Sequence, residues 1–234
     1  MIKAVYMKEL RQYFHSMIAY VFLTILLFLS GFIFLTANLM SLDGDINSFF
    51  TPLFTILLFV TPILTMRQFA EEQKLKTRQL LFTLPLSLES IVLGKFLATL
   101  TVVGIGLAVT LLYPAVLAWY GSFSFMVTLG NYLGAVLLVA AIASLGLFLS
   151  TLTENQVVSA IASYGVILIL WLVDSLAPYT NSVPVKRLIS LFSLKSNYIE
   201  FTYGIFNPAS ILYFISLTAL FLILTTVSLD SRRQ

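Results

Sequence analysis

The chain has 234 residues, 59% of them hydrophobic and 14% aromatic, and a net charge of +3. Only 10% are charged, against roughly 25% in an average soluble domain, and the mean hydropathy is +1.00. A soluble fold of this length has too little interior for so much apolar surface, cysteine is absent, which excludes disulfides and thiolate metal sites, and the small positive balance concerns membrane orientation rather than nucleic acid.

At the N-terminus Ile2, Val5, Tyr6, Leu10, Tyr13 and Phe14 recur at helical spacing, with Lys3, Lys8, Glu9, Arg11 and Gln12 interleaved. The pattern predicts an amphipathic helix over residues 2–14, lying along a membrane surface. The uncharged run from Met17 to Leu42 is too long for a cleaved signal segment and reads as a retained anchor. A crossing needs about 20 apolar residues. Charges bracket a first span over 17–38 and a second over 49–66. Between Lys95 and Glu154 lie 58 uncharged residues, too many for one crossing, and Tyr120-Gly121-Ser122 divides them. Third and fourth spans are therefore expected over 88–119 and 125–150. A fifth covers 157–177, and a sixth covers 208–229, starting after Asn207-Pro208.

Six crossings put both termini on one side of the membrane. Lys3, Lys8, Arg11, Arg67, Lys74, Lys76, Arg78, Lys95, Arg232 and Arg233, ten of the thirteen bases, fall on that side. The rule that basic residues stay inside makes it the cytoplasm. Lys186, Arg187 and Lys195 lie in the opposite loop, residues 178–207. That loop is too apolar to be free, with Val185, Leu188, Ile189, Leu191, Phe192 and Tyr198, and is expected to form short external helices.

Between the second and third spans, Glu71 to Arg78 places five charges in eight residues. At the bilayer centre each would cost roughly 2.5–3.5 kcal/mol, so the stretch must meet water or a partner. Leu75, Leu80, Leu81 and Phe82 favour docking, because a fully buried side chain of this kind contributes about 1.5–3 kcal/mol. An exposed ion pair contributes only about 0.2–1 kcal/mol. Pro85-Leu86-Ser87 ends the stretch, with Ser87 placed to cap the third span.

These residues resemble a known family. Lys8-Glu9-Leu10-Arg11 with Ile18-Ala19-Tyr20, a second span running into Glu71-Glu72, then Thr77, Leu80-Leu81, Leu84-Pro85-Leu86-Ser87 and Gly94-Lys95, are similar to a permease of the ABC-2 exporter class, most of all the gliding-motility type. The resemblance covers nearly the whole chain. It implies an all-α membrane protein of six transmembrane helices, with an N-terminal elbow helix (Lys3, Lys8, Glu9, Arg11), a cytosolic coupling helix and short external helices before the last span. It also implies a bacterial cytoplasmic (inner) membrane location with both termini inside. A separate ABC ATP-binding subunit would hold ATP and Mg and touch residues 69–85, with Glu71, Glu72, Lys74, Thr77, Arg78, Leu80 and Leu81 as coupling residues. A second permease copy or a related chain would complete the pathway, and an external accessory protein is a further candidate partner. The second and fifth spans would line the route, offering Phe49, Phe50, Phe54, Thr55 and Phe59 from one and Ser159, Ser163 and Tyr164 from the other. Two positions depart from the family pattern: Lys76 stands where glycine is common and Gln79 where an acid is common. Lysine accepts the left-handed backbone poorly, so an altered turn is expected there.

No catalytic residues and no metal site are expected. The chain lacks a G-x-x-x-x-G-K-[ST] loop, since its only Gly-Lys pair, Gly94-Lys95, is followed by Phe96, so ATP hydrolysis must come from a partner. An intramembrane peptidase, suggested superficially by Glu71-Glu72, would need more metal ligands than the single His15. An ion-coupled carrier or channel is the transport alternative, but the span interiors look empty of ionisable side chains, with Asp174 near an outer helix end. Gly130 and Gly134 form a G-x-x-x-G that favours close helix contact.

Overall fold

The computed structural model describes residues 2–76, 87–119, 124–173 and 193–231. Thr77, Arg78, Gln79, Leu80, Leu81 and the rest of 77–86, the turn at 120–122, Asp174, residues 178–192, Arg232 and Arg233 lie outside the described residues. The architecture is all-helical, with no strand among the described residues. α1 (Ile2–His15) leads into α2 (Ile18–Ile33), which widens into a π-helical turn over Phe34–Leu39. α3 (Asn47–Thr65) contains Pro52 and Pro62, then a turn leads to the short α4 (Ala70–Lys74). α5 (Leu88–Thr110) follows, capped as expected by the Ser87 hydroxyl accepting from the Ser90 N–H. Leu111 interrupts it before α6 (Leu112–Trp119), because Pro114 has no N–H to continue the ladder.

α7 (Phe125–Leu152) is the longest helix and the most buried, and packs against α3, α5, α8 (Gln156–Leu172), α9 (Leu194–Thr202) and α10 (Pro208–Asp230). α10 starts where Asn207-Pro208 predicts: the Asn207 side chain accepts from the Ala209 N–H, with Pro208 in the first turn. α9 is stopped at Gly204, whose φ of +71° supports bonds from Gly204 N–H to Phe201 O and from Ile205 N–H to Glu200 O. Gly130 and Gly134 explain how α9 sits so close to α7: a Cβ on Gly130 would lie 2.5 Å from the Phe201 carbonyl oxygen, and one on Gly134 2.9 Å from the Phe201 Cβ.

Among the described residues five helical stretches are long and apolar enough to cross a membrane, Met17–Leu39, Asn47–Lys74, Leu88–Trp119, Phe125–Leu152 and Pro208–Asp230, while Gln156–Leu172 is apolar but shorter. Their exposed side chains include Phe28, Phe32, Ile161, Ile169, Leu212 and Ile223, as lipid-facing helices require. Most buried side chains form one core along the bundle, and a smaller cluster of Val5, Phe69, Ile91, Val92, Phe96, Ala143, Leu147 and Leu229 closes one end. Val5 and Leu229 in one cluster put the first helix and the end of the last at that same end.

Candidate functional site

That end of the bundle is organised around α4. Pro62 cannot donate to the ladder of α3, the helix stops at Thr65, and a turn over Met66–Phe69 restarts it at Ala70. Glu71 and Glu72 then lie in the first turn of α4 and Lys74 in its last, the arrangement that suits the helix dipole. Arg67 grips Glu71 at 2.7 Å across one turn. Glu72 and Gln73 turn inward and are buried, whereas Lys74 and Leu75 are exposed.

α1 meets α4 with an unexpected face. Helical spacing puts Val5, Glu9 and Tyr13 in one line, and that line is the buried one. Glu9, read from the sequence as part of the polar face, is therefore 4% exposed, while Lys3, Lys8 and Arg11 remain in the open. The third partner is α5. A Cβ at Gly94 would lie 2.8 Å from the Val5 Cβ and Cγ1, so only glycine lets α1 cross this closely. The next residue, Lys95, is 1% exposed.

Lys95 is the centre of the site. Its ammonium donates to Glu72 Oε1 at 2.8 Å and to the Gln68 carbonyl at 3.0 Å, and lies 3.2 Å from Glu9 Oε1, so its three N–H groups face three oxygens. The Phe69 ring lies 5.0 Å away. From the rim, Lys8 reaches Glu9 at 3.4 Å and Glu72 at 3.7 Å. Two acids and two bases cancel, which makes the burial tolerable. One turn further along both helices lies a second polar layer. Tyr13 donates to the Leu64 carbonyl at 3.0 Å and sits 3.1 Å from Thr99 Oγ1; the Gln68 amide donates to Thr99 at 3.0 Å and to the Tyr13 hydroxyl. Burial pushes the Tyr13 phenol well above its ordinary pKa, so it stays a neutral donor.

Gln73 ties in a fourth helix. Its Nε2 donates to the Thr151 carbonyl at 2.9 Å, one of the last carbonyls of α7 that the helix leaves without an intrahelical donor. Four helices thus meet at a five-residue hub. The cleft between α1 and α4, lined by Glu9, Gln12, Tyr13, Arg67, Gln68 and Glu72 among others, has a volume of about 30 Å³. That is room for about one water, so the site is a clamp rather than a substrate pocket.

Of the residues singled out in the sequence, Glu71, Glu72, Lys8 and Glu9 come together here. Gln73 was not among them, and Lys95 was named only in the Gly94-Lys95 motif and as a cytoplasmic-side base. Lys95 also lies within the third helical stretch, whose interior was expected to be empty of ionisable groups. Lys76 corrects another expectation: it does adopt the left-handed conformation, with φ of +56°, and its N–H bonds the Gln73 carbonyl at 3.1 Å, as a helix-ending glycine would. His15 ends α1 in the open, with Nδ1 2.9 Å from the Arg11 carbonyl oxygen.

The residues expected along a route fall in several separate settings. Phe49 and Phe50 are fully buried in an aromatic cluster with Phe34, Tyr113 and Tyr132. Phe59 and Tyr164 stitch α3 to α8: the Tyr164 hydroxyl donates to the Phe59 carbonyl at 2.8 Å and the rings lie 6.1 Å apart. Ser159 and Ser163 are buried in α8, and Ser163 donates back to the Ser159 carbonyl. Phe54 and Thr55 border a cavity at the far end of the bundle, between α3, α8 and α9.

A bundle of long apolar helices closed at one end by a neutral ion clamp defines a multi-pass membrane protein. Comparison with known families identifies it further: residues 32–233 match the family described as ABC-2 family transporter protein, and the chain belongs to that family. It is thus a membrane-spanning permease subunit of an ABC transporter, a family whose members work with an ABC ATP-binding subunit. No curated protein matches the chain.

Proposed function

We propose that this permease is the transmembrane half of an ATP-driven exporter of the gliding-motility type, docked on its ATP-binding subunit through residues 69–85. The observation that carries the reading is α4. It leaves the second span directly, and through Glu72, Gln73 and the neighbouring Gln68 it is bonded to α1, α5 and α7 at once. A push on the segment that continues from α4 is delivered to three other helices as one body. The subunit holds no nucleotide of its own; ATP and Mg belong to the partner, whose closure would press on Glu71, Lys74, Thr77, Arg78, Leu80 and Leu81. α1 acts as the elbow helix, with Lys3, Lys8 and Arg11 toward the headgroups.

In this reading α8, 17 residues long, is the fifth of six crossings. At about 1.5 Å per residue it spans roughly 25 Å, close to the thickness of the hydrocarbon core. Two copies, or this chain and a related one, enclose the route, with both termini in the cytoplasm of a bacterial inner membrane and a further contact available to an external accessory protein. The order of motifs from Lys8-Glu9 to Gly94-Lys95 supports the exporter assignment.

Co-expression with the ATP-binding subunit tests it. Leu80→Asp with Leu81→Asp is expected to abolish co-purification while leaving membrane insertion intact; undiminished co-purification discards the coupling assignment. Because the chain has no cysteine, single cysteines at Lys74 and Ser41 should label from opposite sides, and labelling of Lys74 from outside the cell overturns the orientation.

A further inference from the structure

The cavity between α3, α8 and α9 has a volume of about 360 Å³ and combines an aromatic wall with two opposite charges. Phe54, Trp171, Tyr198 and Tyr203 supply the wall, with the Phe54 and Tyr198 rings 4.6 Å apart. Asp45 and Lys195 supply the charges. Among the described residues no ion pair joins them to each other or to any other side chain. Both charged residues are exposed, and Asp45 Oδ1 also accepts from the Asn47 N–H at 3.0 Å. The Tyr198 hydroxyl adds an unmet group: it is buried, its phenol pKa is raised by that burial, and it has no hydrogen-bond partner among the described residues. Buried hydroxyls without partners are uncommon, and each asks for an explanation.

From these features we infer that the cavity receives an amphiphile whose head carries both an ammonium and an anionic group, with an apolar chain lying on the aromatic wall. The inference rests on the exporter reading and gives its substrate a chemical class. A purely anionic head would meet Lys195 but leave Asp45 facing it, and a purely cationic head would do the reverse. A head with both signs satisfies both, leaving neither charge desolvated without a partner. Tyr198 can then donate to, or accept from, a polar atom of the head or the backbone linking it to the chain. The volume lies at the lower end of the range for small-molecule pockets, enough for a head group and the first part of a chain rather than for a whole two-chain lipid.

The two tryptophans provide the assay. Trp119 is exposed on α6, so Trp119→Phe leaves Trp171, in the cavity wall, as the sole indole. Lysophosphatidylethanolamine with a twelve-carbon chain is titrated into the purified full chain in maltoside detergent while Trp171 emission is followed. A saturable change is expected, at least fivefold weaker in Lys195→Gln and in Asp45→Asn, and about threefold weaker in Tyr198→Phe. Monolauroylglycerol, which has the chain without the charges, binds at least fivefold more weakly. Equal responses to the two lipids overturn the charge assignment, and an equal response to free O-phosphoethanolamine overturns the amphiphile assignment. No saturable change with any probe, or a change that none of the three cavity substitutions alters, overturns the site. None of these results touches co-purification with the ATPase, so the two readings fail separately.

Discussion

Replacing Lys95 with methionine should destabilise this permease more than any other single change at the clamp. Methionine fills much the same volume, so the loss is electrostatic: Glu9 and Glu72, both within 3.2 Å of the ammonium and both nearly closed from solvent, remain buried and face each other. Lys8, half exposed at 3.4 Å and 3.7 Å, compensates only from the rim. Removing one partner of a buried ion pair costs about 3–5 kcal/mol. For a chain of this size each kcal/mol moves the melting temperature by about 2–4 °C, so the melt should fall by roughly 6–20 °C. The assay is thermal loss of helical circular dichroism in detergent, with Lys95→Met compared against the triple variant Lys95→Met, Glu9→Gln, Glu72→Gln. The triple variant should recover most of the loss, because a neutralised site no longer holds orphan charge. A single variant melting within about 2 °C of the native chain, or a triple variant no better than the single, refutes the claim that the three groups act as one buried unit.

Four further outcomes follow from the same geometry. Gln73→Leu strips the donor from the Thr151 carbonyl and should cost about 1–2 kcal/mol in the same melt, since the end of α7 keeps an unpaired acceptor. Lys76→Gly should stabilise by roughly 0.5–1 kcal/mol, because a β-carbon at φ of +56° is strained by somewhat more than glycine loses in chain entropy. Gly94→Val drives a side chain into Val5 and should cost about 1–3 kcal/mol, detected as faster proteolysis within α1 as well as a lower melt. Asp43 accepts from the Ser48 hydroxyl at 2.5 Å and the Asp45 N–H at 2.9 Å, which hold its carboxyl below the ordinary aspartate value of 3.8. Because the folded value is the lower one, this contribution is present above pH 4 and is lost as pH falls through the folded value. The melting difference between the native chain and Asp43→Asn should accordingly shrink toward pH 3, and a difference constant from pH 3 to pH 6 contradicts it.

Local chemistry was legible in the sequence and distant pairing was not. Ser87 and Asn207-Pro208 mark helix starts because a cap acts on the N–H groups two or three residues ahead, all within one short window. The break between α5 and α6 falls inside the single span expected over 88–119, because an apolar run of that length reads as continuous whatever its backbone does. Lys95 reads in the sequence as a cytoplasmic-side base at the start of the long uncharged run, since hydropathy along one chain cannot reveal partners 23 and 86 residues away. Glu9 was assigned to the polar face for the same reason: a carboxylate in line with Val5 and Tyr13 looks like an error of periodicity until its counter-ion is known. Gln73 was hidden by louder neighbours. The glycine at 94 was visible, but its purpose was not, because that depends on Val5 crossing over it.

Why the clamp is polar at all follows from the solvent. In a bilayer, apolar helix faces gain little by meeting, since lipid chains are as apolar as leucine, and specific contact comes from small residues and interhelical hydrogen bonds. The bundle uses that vocabulary throughout: Gly94 under Val5, Gly130 and Gly134 under Phe201, Asn131 donating to Asn47 at 3.0 Å, Tyr164 to the Phe59 carbonyl. Each such bond contributes only about 0.6–2 kcal/mol, so one alone would let a helix slide. At α4 the same devices are concentrated, and a buried ammonium between two carboxylates is added. That combination has one satisfied geometry and costly neighbours on every side, because any displacement strands a charge. An apolar hub of equal strength could yield by small degrees under load. A charged one moves whole or not at all, which is the mechanical property a segment needs if a push at its far end is to reach α1, α5 and α7 together.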